Sequence, residues 1–367
     1  MNDFGSALSR YQGRQVFVTG HTGFKGSWLT AWLHSLGAAV HGYSLPAPTQ
    51  PSNFEVSRVR ELCRSHHEAD IRDSQRLEAA LRSSDAEFVF HLAAQPLVRD
   101  SYDAPVDTFD VNVMGTVRVL DAIRKIGRPC TVVVITSDKC YQNVEQVWGY
   151  REVDPMGGDD PYSASKGCTE LVVASYRKSF FSPEKLETHG VRLASARAGN
   201  VIGGGDWARD RIICDMVRAF SEGRTVVVRN PSAVRPWQHV LEPLGGYLYL
   251  AQRMAVSPDP ALLSGWNFGP RTGETLPVSQ LADLFLSHWG EGRWEHQSSD
   301  RPLHEARLLR LSIDKAVSDL GWQPTWGVAE AVRRTASWYR DYYRGGADMQ
   351  AVCMSDIRDY QSAASLS

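Results

Sequence analysis

The sequence predicts an α/β fold, a doubly wound parallel sheet with a smaller, mostly C-terminal α/β lobe. Apolar runs such as RQVFVTG (14–20) and CTVVVITS (130–137) have the length of buried strands. They alternate with amphipathic helical stretches through the first half of the chain. Strands that are apolar along their whole length and separated by helices are typical of parallel sheets covered on both faces.

Each element of the first half follows this alternation. Beside a short third strand that ends before Asp70, the predicted elements in chain order are the strand 14–20, the helix 24–36, the strand 38–44, the strand 87–93, the amphipathic stretch 105–126, the strand 130–137, the helix 161–180 and a strand running into a loop over 191–203.

The pattern changes after about residue 204. Gly, Pro and Trp become frequent, and the predicted helices at 278–289 and 328–343 have no buried strands between them. The sequence therefore predicts one domain over 1–203 and a smaller lobe over 204–367. A segment within 232–255 can return to the first domain.

Composition excludes several classes of protein. The 40 basic residues are balanced by 42 acidic ones, so no basic field favours nucleic acid. The sequence has no apolar run long enough for a membrane span, and its first residues, MNDFGSALSR, do not resemble a secretory signal. Six scattered cysteines form no C-x-x-C pair, and His66 and His67 lack ligand partners at metal spacing. We expect a reduced cytoplasmic protein without a metal site.

The turn after the first strand is the strongest signal for a cofactor. VTGHTGFKG places Gly20, Gly23 and Gly26 between a strand and a helix. Such glycines permit a tight turn, let the backbone approach a pyrophosphate and allow close helix–strand packing, while free N–H groups of the helix stabilise phosphate charge. We predict a dinucleotide site here. Lys25 can add charge near the phosphates, although an exposed helix lysine is the simpler interpretation.

The end of the second strand bears on the choice of dinucleotide. An acid usually reads the adenosine ribose here, but HGYSLPAP has Ser44 at that place. Ser44 can hydrogen-bond a ribose hydroxyl, and the nearest basic residue downstream, Arg58, is too far along the chain to favour a 2′-phosphate. This favours NAD over NADP. Asp70, after the third predicted strand, can accept from the adenine amine or can simply cap its loop.

A tyrosine and a lysine four residues apart begin the helix 161–180. Tyr162 and Lys166 share one helix face, and a nearby ammonium lowers the pKa of a phenol, which makes Tyr162 a candidate proton acceptor. Ser137, at the end of the strand 130–137, can donate to the same substrate oxygen. Beside a nicotinamide ring, these residues form a site that oxidises an alcohol.

Together these motifs resemble the extended short-chain dehydrogenase/reductase family, which has a Rossmann-type fold. HLAAQ (91–95), DVNVMGT (110–116), the glycine turn, Ser137 and the tyrosine–lysine pair carry the resemblance, which covers nearly the whole chain. It implies that Asn112 lies on the substrate side and helps hold the water network of the catalytic lysine. A buried structural asparagine is the alternative.

The resemblance also implies which residues bind the cofactor NAD. They are Gly20, Thr22, Gly23, Phe24, Lys25, Gly26, Ser44, Asp70, Ile71, Ala93 and Ala94, together with Tyr162 and Lys166.

The residues after Ser137 bear on the net reaction. Oxidation, epimerisation and dehydration of a sugar can all begin with hydride transfer. A 4,6-dehydration also needs a base for the C5 proton and an acid for the hydroxyl that leaves C6. ITSDKCY supplies Asp138 and Lys139 at that place, where the related 4-epimerases typically carry small neutral residues.

This pair carries a further resemblance, to the nucleotide-sugar 4,6-dehydratases that act on CDP-D-glucose. TSDKCY (136–141) and WGYRE…PMGGDDPYSASKG (148–167) are similar to that group, whereas dTDP-glucose dehydratases have Asp–Glu at this place. The resemblance implies Asp138 as the acid at O6 and Lys139 as the base at C5, and a structural ion pair is the alternative. For the whole protein, the alternatives are another nucleotide-sugar 4,6-dehydratase, a 4-epimerase, or an NAD-binding sensor without catalysis.

Four side chains are candidates for binding the nucleotide-sugar substrate. The planar fork of arginine matches two phosphate oxygens. Arg235 and Arg301 lie in segments that commonly meet the substrate diphosphate in this superfamily, and Arg211 is a further candidate. Asn200 can donate its amide to a phosphate or sugar oxygen. A surface ion pair is the alternative for each arginine.

The helices at 105–126 and 163–180 each carry an apolar stripe. The resemblance implies that these helices form the four-helix bundle of a homodimer, with a larger assembly left open. Ordinary packing on the sheet is the alternative. We expect no nucleic acid or membrane partner.

Overall fold

The computed structural model describes residues 4–297 and 308–366. Its strands are β1 (Gln15–Thr19), β2 (Ala39–Ser44), β3 (Ser65–Glu68), β4 (Phe88–His91), β5 (Cys130–Ile135), β6 (Val191–Ala198), β7 (Val201–Ile202), β8 (Val226–Val228), β9 (Val234–Arg235), β10 (Gln238–His239), β11 (Gly265–Phe268), β12 (Leu276–Pro277) and β13 (Trp294–His296).

Its helices are α1 (Phe4–Ser9), α2 (Phe24–Ser35), α3 (Asn53–Val56), α4 (Ser74–Ser84), α5 (Val98–Asp103), α6 (Pro105–Phe109), α7 (Gly115–Ile126), α8 (Pro161–Ser179), α9 (Leu186–His189), α10 (Ile212–Ser221), α11 (Leu241–Val256), α12 (Val278–Trp289), α13 (Val328–Arg344) and α14 (Met349–Leu366). The amphipathic stretch predicted over 105–126 is α6 and α7 joined by a π-helical turn at Asp110–Met114.

Seven parallel strands form the main sheet, in the order β11-β6-β5-β4-β1-β2-β3. The chain runs outward from β1 through β2 and β3, then crosses to β4 on the other side of β1. In such sheets ligands bind outside the carboxyl ends of the strands, at the point where the strand order reverses. The predicted fold class is confirmed.

Both faces of the sheet are buried, which explains why its strands are apolar throughout. Along β5, Val133 faces a cluster that includes Trp28 of α2 and Leu248 of α11. Val132 and Val134 face the opposite cluster, formed with helices α4, α7 and α8. Alternate side chains of one strand therefore enter two different cores.

One strand of the sheet comes from the second half of the chain. The sequence analysis points only to a segment within 232–255 as returning to the first domain, whereas β11, at Gly265–Phe268, also joins the main sheet by pairing in parallel with β6. Its four residues, GWNF, are too short and too mixed to give an apolar run. The preceding helix α11 packs against β5 and β6, and α14 packs against α1 and α2.

Two further features concern only residues 4–297 and 308–366. No helix in these ranges is both long and apolar enough to cross a membrane. The same ranges contain no cluster of three or more His, Cys, Asp or Glu side chains that could hold a metal ion. His66, considered above as a ligand, instead lies with its Nδ1 2.7 Å from Nε2 of His21.

Candidate active site

The polar residues that follow β5 form a tight turn at the carboxyl edge of the sheet. Ser137 is extended and caps a single 3₁₀ turn at Asp138–Cys140, accepting a hydrogen bond from Lys139 N at 3.3 Å. Its hydroxyl donates to Oδ1 of Asp138 at 2.8 Å. Ser137 and Asp138 are both buried, whereas Lys139 is half-buried. A serine, a carboxylate and an amine are thus grouped within one turn.

Helix α8 brings the tyrosine and lysine to this turn. Asp160 caps the helix by accepting from Ser163 N at 2.9 Å, and Pro161 occupies the first helical position, so the helix begins immediately before Tyr162. Tyr162 and Lys166 are both buried. Ser137 is one of the groups that lower the pKa of the Tyr162 phenol.

Burial sets the protonation of this pair more strongly than charge does. It raises the pKa of Tyr162 to about 12, although hydrogen bonding with Ser137 and the charge of Arg211 lower it. It lowers the pKa of Lys166 to about 8, although Glu170 opposes this. In the chain alone, burial therefore outweighs Arg211, the cation that lowers the pKa of the phenol.

A buried ion pair beneath the site joins α8 to two strands. Glu170, one turn after Lys166, pairs with Arg197 of β6 at 2.8 Å. The same carboxylate accepts from Thr136 at 2.5 Å and from Ser195 at 2.7 Å. Burial raises the pKa of Glu170, but Arg197 and these two hydroxyls lower it further, so that the pKa lies below its ordinary value. The carboxylate therefore stays charged and fixes α8 against β5 and β6.

Gly199, directly after β6, packs against the acid. A Cβ at this position would lie 1.9 Å from Oδ2 of Asp138, closer than any real contact. The carboxylate of Asp138 is therefore held between the Ser137 hydroxyl on one side and a bare backbone on the other.

A half-buried lysine lies on the cofactor side of the site. Burial and the nearby Arg211 lower the pKa of Lys25 to about 8, while Asp138 and Asp206 oppose them. The interpretation of Lys25 as an exposed helix lysine is wrong. Its position in the first turn of α2 brings it into electrostatic range of Asp138 and Lys166.

The glycine turn has the geometry that a bound dinucleotide requires. Gly20 has φ +75°, and a Cβ there would lie 2.7 Å from Ala93 N. A Cβ on Gly26 would lie 2.1 Å from the Gly20 carbonyl oxygen, so the helix packs directly on the turn. No side chain caps the N-terminus of α2, where Phe24 is the first residue. Its N–H groups can therefore bind phosphate oxygens.

The residues predicted for the adenosine half lie at the ends of β2 and β3. Thr22 and Ser44 are buried and share a hydrogen bond of 2.8 Å between their hydroxyls. Asp70 forms an ion pair with Arg72 at 2.7 Å, so its carboxylate already has a partner within the chain. Ile71 is buried against Gly115.

The structure places Asn112 against Gln95, the residue that directly follows Ala93 and Ala94. Both alanines follow β4 at the carboxyl edge, where Ala93 N donates to Thr19 at 3.2 Å. The amide of Asn112, in the π-helical turn, is buried and donates to Ser165 at 2.8 Å while accepting from Gln95 N at 2.8 Å. These contacts make Asn112 a link between the π turn and α8, which is the alternative interpretation given above.

The predicted substrate residues are dispersed along the second half of the chain. Asn200 follows Gly199 with a left-handed φ of 44°. Arg211 pairs with Asp206 at 2.7 Å and also lies in range of Tyr162. Arg235 lies on β9, where it donates to the Val234 carbonyl at 3.0 Å. Arg301 lies outside the described residues.

Residues 17–264, about two thirds of the chain, match the family described as GDP-mannose 4,6 dehydratase. The chain belongs to this dehydratase family.

Individual relatives agree with the family. The chain is 51% identical over 354 residues to a CDP-glucose 4,6-dehydratase of Salmonella typhimurium, covering 96% of this chain and 98% of the relative. A dTDP-glucose 4,6-dehydratase of Streptomyces venezuelae, solved with NAD bound, superposes with a TM-score of 0.73 at 23% identity, over 89% and 96% of the two chains. The epimerase Mth375 of Methanothermobacter thermautotrophicus has a TM-score of 0.79 at 22% identity, over 93% and 96%. These two structural matches support the fold.

Sequence reasoning missed several residues that shape this dehydratase site. Glu170 lies four residues after Lys166, so the spacing that pairs Tyr162 with Lys166 also points to it. Gly199 follows a predicted strand directly, which is a weaker signal. Tyr247 of α11 gives no local signal. Its hydroxyl is buried, has no hydrogen-bond partner among the described residues, and lies in electrostatic range of Asp138.

Proposed function

We propose that the protein is a CDP-D-glucose 4,6-dehydratase, an NAD-dependent hydro-lyase that yields CDP-4-keto-6-deoxy-D-glucose. The observation that carries this proposal is the turn Ser137–Asp138–Lys139 beside Tyr162, because it adds an acid and a base to an alcohol-oxidising site. The 51% identity to a CDP-glucose 4,6-dehydratase supports the choice of substrate.

The residues at the glycine turn fit NAD. The uncapped N-terminus of α2 supplies N–H groups for the pyrophosphate, and the buried Thr22–Ser44 pair offers hydroxyls rather than a cation to the adenosine ribose. Ala93 and Ala94 border the same groove. When bound, NAD supplies a hydride acceptor and a positive ring charge that favours the phenolate of Tyr162.

The proposed roles follow the order of the reaction. Tyr162 takes the proton of the C4 hydroxyl as the C4 hydride leaves, while Ser137 holds the same oxygen. Lys139 takes the C5 proton, which the new ketone has made acidic. Asp138 gives its proton to the C6 oxygen, which leaves as water. With bound NAD supplying the hydride for C6, Lys139 would return its proton to C5.

Substrate binding is proposed for three arginines of the second lobe and for Asn200, near the end of the first domain. Arg211, Arg235 and Arg301 would hold the diphosphate, and Asn200 a phosphate or sugar oxygen. The role of Arg211 is supported by its position within electrostatic range of Tyr162. Since the Asn112 amide is committed to Ser165 and Gln95, we propose that it acts on the substrate only through α8.

Three broader features belong to the same proposal. Residues 1–203 would form the NAD-binding domain and 204–367 mainly the nucleotide-sugar lobe, with α11 and β11 returning to the first domain. The exposed apolar side chains of α6–α8 support a homodimer. Six free cysteines support a reducing, cytoplasmic location.

The proposal is tested by offering the purified protein NAD with CDP-glucose, dTDP-glucose or GDP-mannose in separate reactions and weighing the products by mass spectrometry. We expect loss of one water from CDP-glucose and unchanged masses for the other two. Unchanged mass with altered stereochemistry at C4 would identify an epimerase instead. Water loss from another of these substrates would keep the reaction class and change the specificity.

A further inference from the structure

Gln238 is a buried glutamine of the second lobe that the proposed mechanism leaves without a role. It begins β10, which pairs in parallel with β7 through Gln238 and Val201. Only 2% of the residue is exposed. A polar side chain buried to this extent costs free energy unless it is hydrogen-bonded, so its partners indicate what it does.

The hydrogen bonds of Gln238 hold two consecutive carbonyls of one turn. Its backbone N–H donates to the Asn200 carbonyl at 3.2 Å, and its side-chain Nε2 donates to the Gly199 carbonyl at 3.0 Å. Nε2 also donates to the carbonyl of Phe268, the last residue of β11, at 3.2 Å. Both neighbours of Nε2 are acceptors, and this fixes the orientation of the amide. Oε1 has no partner among residues 4–297 and 308–366, so the side chain acts through its two N–H groups.

The turn held in this way is the one that borders the acid. Asn200 has a left-handed φ of 44°, a conformation that the surrounding structure must hold in place. A Cβ on Gly199 would lie 1.9 Å from Oδ2 of Asp138, so the backbone of Gly199 faces the carboxylate directly. Any movement of this turn therefore changes the space that the carboxylate occupies.

We propose that Gln238 is a positioning residue for the elimination of water. By holding the Gly199–Asn200 turn, it keeps the backbone of Gly199 against Oδ2 of Asp138. The Ser137 hydroxyl donates to the other carboxylate oxygen at 2.8 Å, so the acid is fixed from two sides. This inference rests on the proposed function, in which Asp138 gives its proton to the C6 oxygen.

The two stages of the reaction should respond differently to the loss of Gln238. C4 oxidation depends on Tyr162 and Lys166 of α8, and that helix is fixed to β6 by the separate Glu170–Arg197 pair. Only water loss depends on the acid. A displaced carboxylate therefore slows elimination and leaves oxidation nearly unchanged.

The test compares Gln238→Leu with the wild type in single turnovers with NAD, following NADH by absorbance and water loss by product mass. Leucine is close to glutamine in volume but donates no hydrogen bond. We expect water loss to be about tenfold slower and C4 oxidation to change less than about twofold, so NADH accumulates. A weaker hold on Asn200 would raise KM, so the rates are measured at saturating CDP-glucose.

Two controls separate positioning from a general loss of structure. The dissociation constant for NAD, measured by quenching of tryptophan fluorescence, should be unchanged in Gln238→Leu, because the glycine turn lies between β1 and α2. Gln252→Leu is the matched variant, since Gln252 is 1% exposed and its Nε2 has no partner among the described residues. It should behave as the wild type.

Gln238→Glu gives a second test that restores the hydrogen bond conditionally. A carboxyl group that faces two carbonyl oxygens can donate to them only when it is protonated. The rate of water loss, relative to the wild type at the same pH, should therefore fall as pH rises. In Gln238→Leu the same ratio should be independent of pH.

The outcomes decide between the two roles. Equal slowing of C4 oxidation and water loss in Gln238→Leu, or weaker binding of NAD, would show a structural role and overturn the inference. So would a pH-independent ratio in Gln238→Glu. These results leave the proposed function standing when the wild type still releases water from CDP-glucose. A wild type that releases none would contradict the proposed function, and the role of Gln238 in elimination with it.

Discussion

In the proposed dehydration, Lys139 is the base that would carry the reaction beyond oxidation. It lies in the same turn as Ser137 and Asp138 but is half-buried, so it can contact a sugar in the cleft. In Lys139→Ala we expect water loss to fall about a hundredfold or more, the usual contribution of a general base. C4 oxidation should persist, because Tyr162 and Lys166 are unchanged.

The measurement for Lys139→Ala is a single turnover followed by NADH absorbance and by product mass. NADH should accumulate without water loss. The exposed Lys185 gives the matched control, and Lys185→Ala should behave as the wild type. Normal water loss in Lys139→Ala would show that Lys139 is not the base at C5.

Gly199 leaves the space in which the carboxylate of Asp138 lies. Since a Cβ there would meet Oδ2 of Asp138 at 1.9 Å, Gly199→Ala must displace the carboxylate. We expect water elimination to fall at least about tenfold while C4 oxidation is less affected. Gly269 follows the neighbouring strand β11, and its Cβ would find its nearest atom at 3.5 Å. Gly269→Ala is therefore the control, and equal rates in both variants would contradict this account of the acid.

At the scale of elements, buried polar side chains fix which helix end meets which strand end. The Glu170–Arg197 pair connects α8 to β6 and, through Thr136, to the end of β5. Hydrophobic packing alone allows helices to slide over a sheet, whereas a buried ion pair with hydrogen bonds has one geometry. The distance between Tyr162 and Ser137 is set in this way.

A second buried carboxylate ties α11 to the C-terminal segment. Glu242 accepts from Thr325 N at 3.0 Å, from Trp326 N at 2.6 Å and from the Tyr360 hydroxyl of α14 at 2.9 Å. Burial raises its pKa from 4.5 to about 7. The folded protein binds this proton more tightly than the unfolded chain does. The protonated carboxyl therefore stabilises the fold fully below pH 4.5, and this contribution to the unfolding free energy is lost as pH rises through about 7.

We therefore predict that Glu242→Gln flattens the pH dependence of stability. Between pH 4.5 and about 7 the wild type should lose roughly 3 kcal/mol more of its unfolding free energy than the variant. Urea unfolding at a series of pH values measures this difference, and the comparison cancels the contributions of other titrating groups. Parallel curves for the two proteins would show that Glu242 does not titrate in this range.

At the scale of the whole molecule, one surface bears on assembly. On the surface of α6–α8, Val106 is 79% exposed, Met114 45% and Leu171 61%. Apolar side chains exposed together on neighbouring helices mark interaction surfaces. A second copy of this chain is the occupant that we propose.

The double variant Met114→Lys/Leu171→Lys should convert the proposed dimer into a monomer, because charged side chains would be buried without partners in the interface. Sedimentation equilibrium at matched protein concentrations measures this change. Val256, at the end of α11, is also exposed and apolar, so Val256→Lys is the control that should remain dimeric. A wild-type mass of one chain would exclude the dimer, and an unchanged mass in the double variant would exclude this surface.

The sequence by itself determined the sheet, the glycine turn and the grouping of Ser137 with the Tyr162–Lys166 pair. These features are local: strand burial shows in a few consecutive residues, and a helix face shows in a spacing of four. The carboxyl ends of parallel strands share one edge, so residues that follow β1, β4 and β5 could be expected to meet.

Only the tertiary structure decided the contacts between residues far apart in the chain. The packing of the elements brings Gly199 against Asp138 and pairs Glu170 with Arg197. It also brings Lys25 within electrostatic range of Asp138 and adds β11 to the sheet. Protonation was decided in the same way, since burial raised the pKa of Tyr162 despite the charge of Arg211. Desolvation depends on the density of the surrounding fold, and no local pattern of residues encodes it.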